Sequence, residues 1–340
     1  MAPRVAIILA CSLSLAGCES ATTTPVTNGG GTTTTTIPLA VTCPAAVSTS
    51  TAAATIAVAY AAPATTGGTL PVTASCTPAS GTQFAKGATT TVTCSASDSA
   101  GKTASCTFGI TVAAIPLLKG TKFLAFGDSF TAGEILNASR AQIVNDSKSY
   151  PTLLKALLLS QYTAQDFNIP NYGNPGEVLM SDLGYRSEET RLRWLRALTV
   201  ERPDAVLILE GVNDLNSVGI TNDQIAGVLS DMVQEAYAAQ VKMVYVATEP
   251  PQIPVLLRSS QAARVPDLNT KITAVARAQG ATLVDLYGAM IGNVTGLINA
   301  DDGLHPYPAG YAVMAQTFFT SIKNTFELTT SAAATSAAKR

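Results

Sequence analysis

The sequence contains a single histidine among its 340 residues, and charged residues make up only 13% of it. The 21 lysines and arginines nearly balance the 23 aspartates and glutamates, and no basic stripe is interleaved with aromatic residues. This balance gives no electrostatic support for nucleic-acid binding, so we expect no nucleic-acid partner. The chain also lacks a close Cys-x-x-Cys pair, and with one histidine it offers no convincing zinc ligand set.

A continuous apolar run is likewise missing except at residues 5–15, which follow the basic Arg4. This run is too short to cross a bilayer as a stable helix and has the layout of an export signal. It ends in Leu15-Ala16-Gly17-Cys18, which resembles a bacterial lipobox with Cys18 as the acylated residue. We therefore expect residues 1–17 to be a lipoprotein signal peptide. The product would be an exported, membrane-anchored bacterial lipoprotein, at the outer membrane or cell surface or facing the periplasm. A plain secretory signal is the alternative.

Residues 18–39 contain the predicted lipidated Cys18, a run of threonines and three consecutive glycines. A segment of this composition cannot bury enough apolar surface to offset its ordering entropy, so we expect a flexible linker. Residues 40–114 instead alternate short β-prone runs, such as residues 55–60 and 108–112, with turn signals. This pattern predicts an all-β sandwich in the first half of a multidomain chain.

The cysteines that remain after export all lie in this β-prone segment. Cys11 would leave with the signal peptide and Cys18 would be acylated, which leaves an even number. In an oxidising compartment four cysteines suit two disulfides, although sequence alone leaves three possible connectivities. The four residues concerned are Cys43, Cys76, Cys94 and Cys106.

The motif Gly127-Asp128-Ser129-Phe130-Thr131-Ala132-Gly133 directly follows a mostly apolar run at residues 121–126. An apolar run that stops at a glycine predicts a buried parallel strand, and open α/β sheets bind ligands at the carboxyl ends of such strands. Ser129 therefore lies where a nucleophile would. Because Gly-Asp-Ser is also ordinary turn chemistry, the motif does not decide the matter alone.

The single histidine, His305, lies in Asp301-Asp302-Gly303-Leu304-His305-Pro306. A serine hydroxyl becomes a good nucleophile when a base accepts its proton, and that base needs a carboxylate to fix its tautomer. Asp302, three residues before His305, can supply the carboxylate within one turn. This spacing makes Ser129, His305 and Asp302 candidates for a catalytic triad.

Two further motifs lie between the serine and the histidine, and each follows a candidate strand. They are Asn171-Tyr172-Gly173-Asn174-Pro175-Gly176 and Gly211-Val212-Asn213-Asp214. A tetrahedral intermediate needs donors aimed at its oxyanion, and a glycine amide with an asparagine side chain can provide them beside the serine's own N–H. Each of these two motifs alone is a common turn. Together with the motifs of Ser129 and His305 they make four motifs in a fixed order.

Residues 117–328 resemble a GDSL, or SGNH, hydrolase, because all four sequence blocks of that family occur in order. The serine, glycine, asparagine and histidine of the family name correspond to Ser129, Gly176, Asn213 and His305. Asp302 corresponds to the triad acid, and Phe130 replaces the leucine of the first block. The resemblance implies an α/β/α three-layer sandwich around a flavodoxin-like parallel sheet. It implies no metal and no organic cofactor.

The same resemblance implies an esterase or lipase that acts through an acyl-enzyme. Ser129 would be the nucleophile, His305 the base and Asp302 the orienting acid, with an oxyanion hole made by Ser129, Gly176 and Asn213. The substrate would be an ester of a lipid or of an acylated saccharide. Alternatives are an acyltransferase or carbohydrate deacetylase at the same site, or a non-catalytic surface adhesin. Residues 134–150 and 250–254 are expected to wall the acyl pocket, and residues 329–340 to be a disordered tail.

The β-prone segment resembles a hyalin-repeat domain, which is immunoglobulin-like, and the resemblance rests on several short motifs that include Ser80-Gly81 and Val92-Thr93-Cys94. It implies a spacer or a surface that contacts a glycan or a protein. In such a sandwich the first and last strands tend to lie near one another. We therefore predict disulfides between Cys43 and Cys106 and between Cys76 and Cys94.

Overall fold

The structure, a computed structural model, describes residues 37–254 and 258–328. The predicted signal peptide, the predicted acylation site Cys18, almost all of the linker and the C-terminal tail lie outside the described residues. Within those two ranges no helix has both the length and the apolar character that crossing a membrane requires.

The N-terminal region consists of β-strands, most of them short, because threonine- and valine-rich runs alternate with glycine turns. The central sheet is four-stranded, in the order β2-β8-β7-β5, with β2 parallel to β8 and the other pairs antiparallel. Two further pairs, β3 with β6 and β1 with β4, are antiparallel. The strands are β1 (Ala40–Thr42), β2 (Val47–Thr51), β3 (Thr55–Ala57), β4 (Ala64–Thr66), β5 (Val72–Thr77), β6 (Gln83–Ala85), β7 (Ala88–Asp98) and β8 (Thr103–Ala114).

Alternate residues of β7 and β8 point into a small core against Phe84 of β6. Two disulfides border this core, one between Cys43 and Cys106 and one between Cys76 and Cys94. Cys94 stands opposite both Cys76 and Cys106 in the strand register, so three of the cysteines form a row across the sheet. The structure thus contains the two pairs that we predicted, and Cys43 directly follows β1.

The C-terminal region is built on a five-stranded parallel sheet in the order β12-β9-β13-β14-β15. Strands β9 and β13 are buried at every position, as expected of strands covered on both faces. A separate hairpin, β10 with β11, follows the first turn after β9. The strands are β9 (Phe123–Gly127), β10 (Glu134–Leu136), β11 (Gln142–Val144), β12 (Asn171–Gly173), β13 (Ala205–Leu209), β14 (Met243–Ala247) and β15 (Thr282–Val284).

Helices cover both faces of this sheet, with α2 packed on α8 and with α4 packed on both α3 and α5. A capping box begins α4, with the Thr221 and Gln224 side chains each bonding the other residue's backbone N–H. The α-helices are α1 (Ser129–Ala132), α2 (Tyr150–Gln161), α3 (Glu188–Glu201), α4 (Asn222–Ala238), α5 (Val265–Gln279), α6 (Leu286–Met290), α7 (Val294–Leu297) and α8 (Pro308–Phe326).

The strand order of the C-terminal sheet is 2-1-3-4-5 when its strands are counted along the chain. This is the flavodoxin-like order, so the prediction of a β-rich domain followed by a three-layer α/β/α sandwich is confirmed. In such sheets the strand order reverses at the first strand, because the second strand lies on one side of it and the third on the other. Ligands bind outside the carboxyl ends of the strands at that point. Here that strand is β9, which leads directly to Ser129.

Candidate active site

Ser129 is the first residue of α1, immediately beyond the buried strand β9. The Asp128 side chain caps this helix, because its Oδ1 accepts a hydrogen bond of 2.9 Å from the Phe130 N–H. Gly127 has no room for a side chain, since a Cβ there would lie 2.1 Å from the Thr131 Oγ1 and 2.2 Å from the Leu209 carbonyl oxygen. This close packing holds Ser129 at the sheet edge, where only 3% of its surface is exposed.

His305 bridges Ser129 and Asp302. Its Nε2 lies 2.9 Å from the Ser129 Oγ, and its Nδ1 lies 2.7 Å from Asp302 Oδ2. The other carboxylate oxygen of Asp302 accepts the backbone N–H groups of Leu304 and His305, which closes the tight turn between the two residues. Burial raises the pKa of Asp302, but the hydrogen bonds from His305 and from these amides outweigh it and leave that pKa below its ordinary value.

Gly176 lies in the loop after β12, the strand that pairs with β9 on one side. The loop is tied to β9 because the Asn174 N–H donates to the Gly127 carbonyl oxygen at 2.8 Å. Gly173 packs directly against α1, where a Cβ would lie 2.0 Å from the Ala132 nitrogen. Gly176 itself has a φ of +79°, a conformation that favours glycine.

Asn213 follows β13, the strand that pairs with β9 on the other side, and opens a short 3₁₀ helix. Its Nδ2 donates to the Glu177 carbonyl oxygen at 2.8 Å, so it joins the loop that carries Gly176. Asp214 holds the same loop, since its two carboxylate oxygens accept the Leu179 and Met180 N–H groups at 2.9 and 2.8 Å.

The structure therefore brings Ser129, His305 and Asp302 into direct contact and places Gly176 and Asn213 at the ends of the two flanking strands. Neither Gly176 nor Asn213 hydrogen-bonds to Ser129 within the described residues. An asparagine amide has two N–H donors, and Glu177 uses only one of those on Asn213. The second N–H of the Asn213 amide has no partner among the described residues.

Several buried carboxyl groups surround the site, and the sequence analysis missed them. Burial raises the pKa of Asp128 to about 7, with the charges of Asp214 and Glu134 adding to the effect. Burial likewise raises the pKa of Glu210 and of Glu249 well above the ordinary value, helped by the charge of Asp128. Both carboxylate oxygens of Glu249 lack a hydrogen-bond partner among the described residues. The available signal was their position at the ends of apolar strands, since Asp128 and Glu210 directly follow β9 and β13 and Glu249 lies two residues beyond β14.

Arg193 is the cation that faces these carboxyls from α3. It forms an ion pair with Glu177, and its Nη2 lies 3.9 Å from Glu210. Its guanidinium also lies over the Phe126 ring at 3.9 Å and donates to the Tyr172 carbonyl oxygen at 2.6 Å. Arg193 thereby links α3 to the loop that carries Gly176.

Two segments that we expected to wall the pocket lie around the histidine loop. Residues 134–144 form the β10–β11 hairpin, whose Gln142 accepts a hydrogen bond of 2.5 Å from Arg258. The Ile253 N–H donates to the Gly303 carbonyl oxygen at 2.8 Å, which joins the proline-rich segment to the turn between Asp302 and His305. The hairpin also reaches the histidine loop, through an ion pair of 3.2 Å between Arg140 and Asp301, so both segments contact that loop.

Two family models match the chain. One, described as the GDSL-like lipase/acylhydrolase family, matches residues 125–313, which is more than half of the chain. The other, described as the HYR domain, matches residues 34–112. No curated protein matches the chain.

Solved structures resemble the C-terminal region. The lipase/acylhydrolase from Enterococcus faecalis is 25% identical with a TM-score of 0.50, and the match covers 61% of this chain and 97% of that one. An α/β hydrolase from the metagenome of Lake Arreo, Spain, is 23% identical with a TM-score of 0.49, over 61% and 96% of the two chains. An acetylxylan esterase from Geobacillus stearothermophilus is 21% identical with a TM-score of 0.47, over the same 61% and 96%.

Proposed function

The chain belongs to the GDSL-like lipase/acylhydrolase family of carboxylic ester hydrolases, and we propose that Ser129, His305 and Asp302 are its catalytic triad. The observation that carries this proposal is the unbroken line of contacts from the Ser129 Oγ through the imidazole to the Asp302 carboxylate. A serine needs a base within hydrogen-bond reach, and the base needs a third group to orient it. Both conditions are met by side chains that the fold buries at one sheet edge.

In the proposed reaction the Ser129 Oγ attacks the ester carbonyl carbon while His305 Nε2 takes the hydroxyl proton. The tetrahedral intermediate collapses, the alcohol leaves with the proton from His305, and the acyl group stays on Ser129. Water then attacks the acyl-enzyme and releases the acid. The lowered pKa of Asp302 keeps it ionised, so that it stabilises the imidazolium in both steps.

The oxyanion hole in this proposal consists of the Ser129 N–H, the Gly176 N–H and the Asn213 side chain. This proposal is supported by the two flanking strands, which end before Gly176 and Asn213 on either side of β9, and by the Asn213 bond to the Glu177 carbonyl oxygen, which joins the two segments. Donors set in place before the reaction need no reorganisation when negative charge develops, which is why such holes are effective.

The substrate is an ester or an acylated compound, and we propose a lipid ester or an acylated saccharide. The test is hydrolysis of p-nitrophenyl esters from acetate to palmitate, followed by acetylated xylan. A fluorophosphonate probe should label the purified enzyme on one tryptic peptide, the one that contains Ser129. Ser129→Ala should lose both hydrolysis and labelling. Hydrolysis that survives in Ser129→Ala would contradict the assignment.

We further propose that the enzyme is exported and lipid-anchored through Cys18, with residues 40–114 as a spacer or contact module before the hydrolase at 117–328. Support comes from the Leu15-Ala16-Gly17-Cys18 motif and from two disulfides, which form in oxidising compartments. Cells that express the full chain should incorporate labelled fatty acid into it, and Cys18→Ser should abolish the label. A wild-type chain that fractionates as soluble and unlabelled would refute the anchor.

A further inference from the structure

A second carboxylate faces the catalytic histidine. Glu134 Oε1 lies 3.9 Å from His305 Nε2, the same nitrogen that the Ser129 Oγ contacts at 2.9 Å. Glu134 is 6% exposed, and its carboxylate accepts no hydrogen bond from the described residues. No lysine or arginine of the described ranges forms an ion pair with it. The Glu134 carboxylate, which is little exposed and has no donor among the described residues, is therefore available to accept a hydrogen bond from a group that enters the site.

The position of Glu134 is set by its backbone. Gly133 turns the chain out of α1 with a φ of +84°, and Glu134 opens strand β10, which pairs with β11. The Tyr311 O–H donates to the Glu134 carbonyl oxygen at 2.6 Å, which anchors the residue to α8. These contacts leave the carboxylate beside Nε2, while Asp302 already occupies Nδ1. Orientation of the imidazole therefore does not require Glu134.

The geometry suits a single small oxygen between the two groups. Two atoms 3.9 Å apart can both be reached from one oxygen at a normal hydrogen-bond distance of about 2.8 Å. A water molecule in that place has one O–H for His305 Nε2 and a second for Glu134 Oε1. A monohydric alcohol has only one O–H, and if His305 takes it, Glu134 remains without a donor.

We propose that Glu134 positions the deacylating water and thereby favours water over an alcohol as the acyl acceptor. This inference rests on the proposed function, since it needs the acyl group on Ser129. In the step, the water oxygen bonds to the acyl carbon and one water proton moves to His305 Nε2. When the intermediate collapses, the carbon–Oγ bond breaks and that proton passes to Ser129. The second water proton, held by Glu134 until then, leaves on the carboxylic acid.

The pairing of Glu134 with His305 Nε2 also determines which alcohols can compete with water as the acyl acceptor. An acceptor with a neighbouring hydroxyl, such as a diol or a sugar, can give one O–H to His305 and the other to Glu134. Methanol cannot. We therefore expect wild-type enzyme to hydrolyse in the presence of methanol and to transfer acyl groups more readily to glycerol.

The experiment measures partitioning of one acyl-enzyme. Wild type, Glu134→Gln and Glu134→Ala react with p-nitrophenyl butyrate in buffer containing methanol, and methyl butyrate and butyric acid are both quantified. The ratio of ester to acid should rise about tenfold in Glu134→Ala and less in Glu134→Gln, because an amide is a weaker acceptor than a carboxylate. The rate of acylation, read as kcat/KM, should change by less than about threefold. If the alanine variant does not fold, the glutamine variant carries the test.

Asp301→Asn is the matched control. It removes an exposed carboxylate from the histidine loop, and that carboxylate pairs with Arg140 and does not face the imidazole. Its product ratio should equal that of wild type. An unchanged ratio in both Glu134 variants would overturn the proposal. So would equal losses in kcat/KM and kcat without a change in ratio, since these would assign Glu134 to imidazolium stabilisation. A wild-type enzyme that forms no acid and no ester would contradict the proposed function instead.

Discussion

His305 lies beside three side chains that take part in the proposed chemistry, namely Ser129, Asp302 and Glu134. It is also the only histidine of the chain, so no second imidazole can take its place. The sequence was sufficient to pair His305 with Ser129 and Asp302, because the motifs occur in family order. It could not reveal Glu134, since a glutamate that follows Ala132-Gly133 has no local pattern to show which way its side chain turns.

The two neighbouring aspartates of the histidine turn should differ in their effect on catalysis. Asp302 is buried and bonded to His305 Nδ1, whereas Asp301 is exposed and pairs with Arg140. Asp302→Asn should lower kcat by about 10⁴-fold, because an amide N–H donor there would stabilise the wrong imidazole tautomer. Asp301→Asn should stay within about twofold of wild type. Steady-state hydrolysis of p-nitrophenyl butyrate separates the two, and similar losses would contradict the assignment.

Asn213 should contribute to the transition state more than to substrate binding. Asn213→Ala is expected to lower kcat by about 100- to 1000-fold with little change in KM, which is the usual effect of removing one oxyanion donor. Because the same side chain bonds the Glu177 carbonyl oxygen, thermal melting is the control for a loosened loop. A large rise in KM with kcat unchanged would show that Asn213 binds the ground state instead.

At the scale of elements, the candidate site lies at the carboxyl ends of three adjacent parallel strands, β12, β9 and β13. Strand β9 leads to Ser129, the proposed nucleophile, and β12 and β13 on either side of it lead to Gly176 and Asn213, the other proposed oxyanion donors. The apolar runs before Gly127 and Gly211 were enough to predict β9 and β13 and their shared edge, whereas β12 lies within its own motif, directly after the short run at residues 167–170. The strand order that brings Gly176 and Asn213 to opposite sides of Ser129 came from the family resemblance, since strand pairing depends on contacts distant in sequence.

The strand ends also bear acidic residues that lower stability at neutral pH. Burial raises the pKa of Glu249 in the folded chain, so the folded state binds its proton more tightly than the unfolded state does. The contribution of Glu249 to the free energy of unfolding is therefore fully present below the pKa of an unfolded glutamate, about 4.3. It is lost as the pH rises above that value. Glu249→Gln should raise the melting temperature at pH 8 and change it little at pH 4.

The matched control for this change is Glu189→Gln, which alters an exposed glutamate at the start of α3. Its melting temperature should follow that of wild type at both pH values. If Glu249→Gln destabilises the chain equally at pH 4 and pH 8, then Glu249 has a partner in the folded protein, and the account of an unpartnered carboxyl with a raised pKa is wrong.

At the scale of the whole molecule, two regions of different construction share one chain. The β-rich region has a small core and two disulfides, whereas the hydrolase region contains a large continuous core and no cysteine. This division was visible in the sequence. The cysteines all lie in the segment that has strand signals alone, and the cysteine-free segment after it has alternating strand and helix signals. The exact pairing of small strands such as β1 with β4 was not visible, because such runs of three residues carry too little pattern.

The disulfides should stabilise the β-rich region and leave catalysis unaffected. Replacing Cys43 and Cys106 by serine is expected to cost about 2 to 4 kcal/mol in the unfolding free energy of that region. Calorimetry and ester hydrolysis on the same sample should show a β-rich transition at lower temperature and an unchanged kcat/KM. A parallel loss of hydrolysis would show that the two regions depend on each other.

The central claim is that this chain hydrolyses esters through Ser129 with His305 as its base, and the most direct measurement is hydrolysis of p-nitrophenyl butyrate by folded His305→Ala. We predict that this variant, Ser129→Ala and the double variant all lose nearly all activity to a similar extent, because residues that act as one unit are not additive. Circular dichroism and melting temperature verify that each variant is folded. Hydrolysis by His305→Ala at a rate near that of wild type would contradict the account.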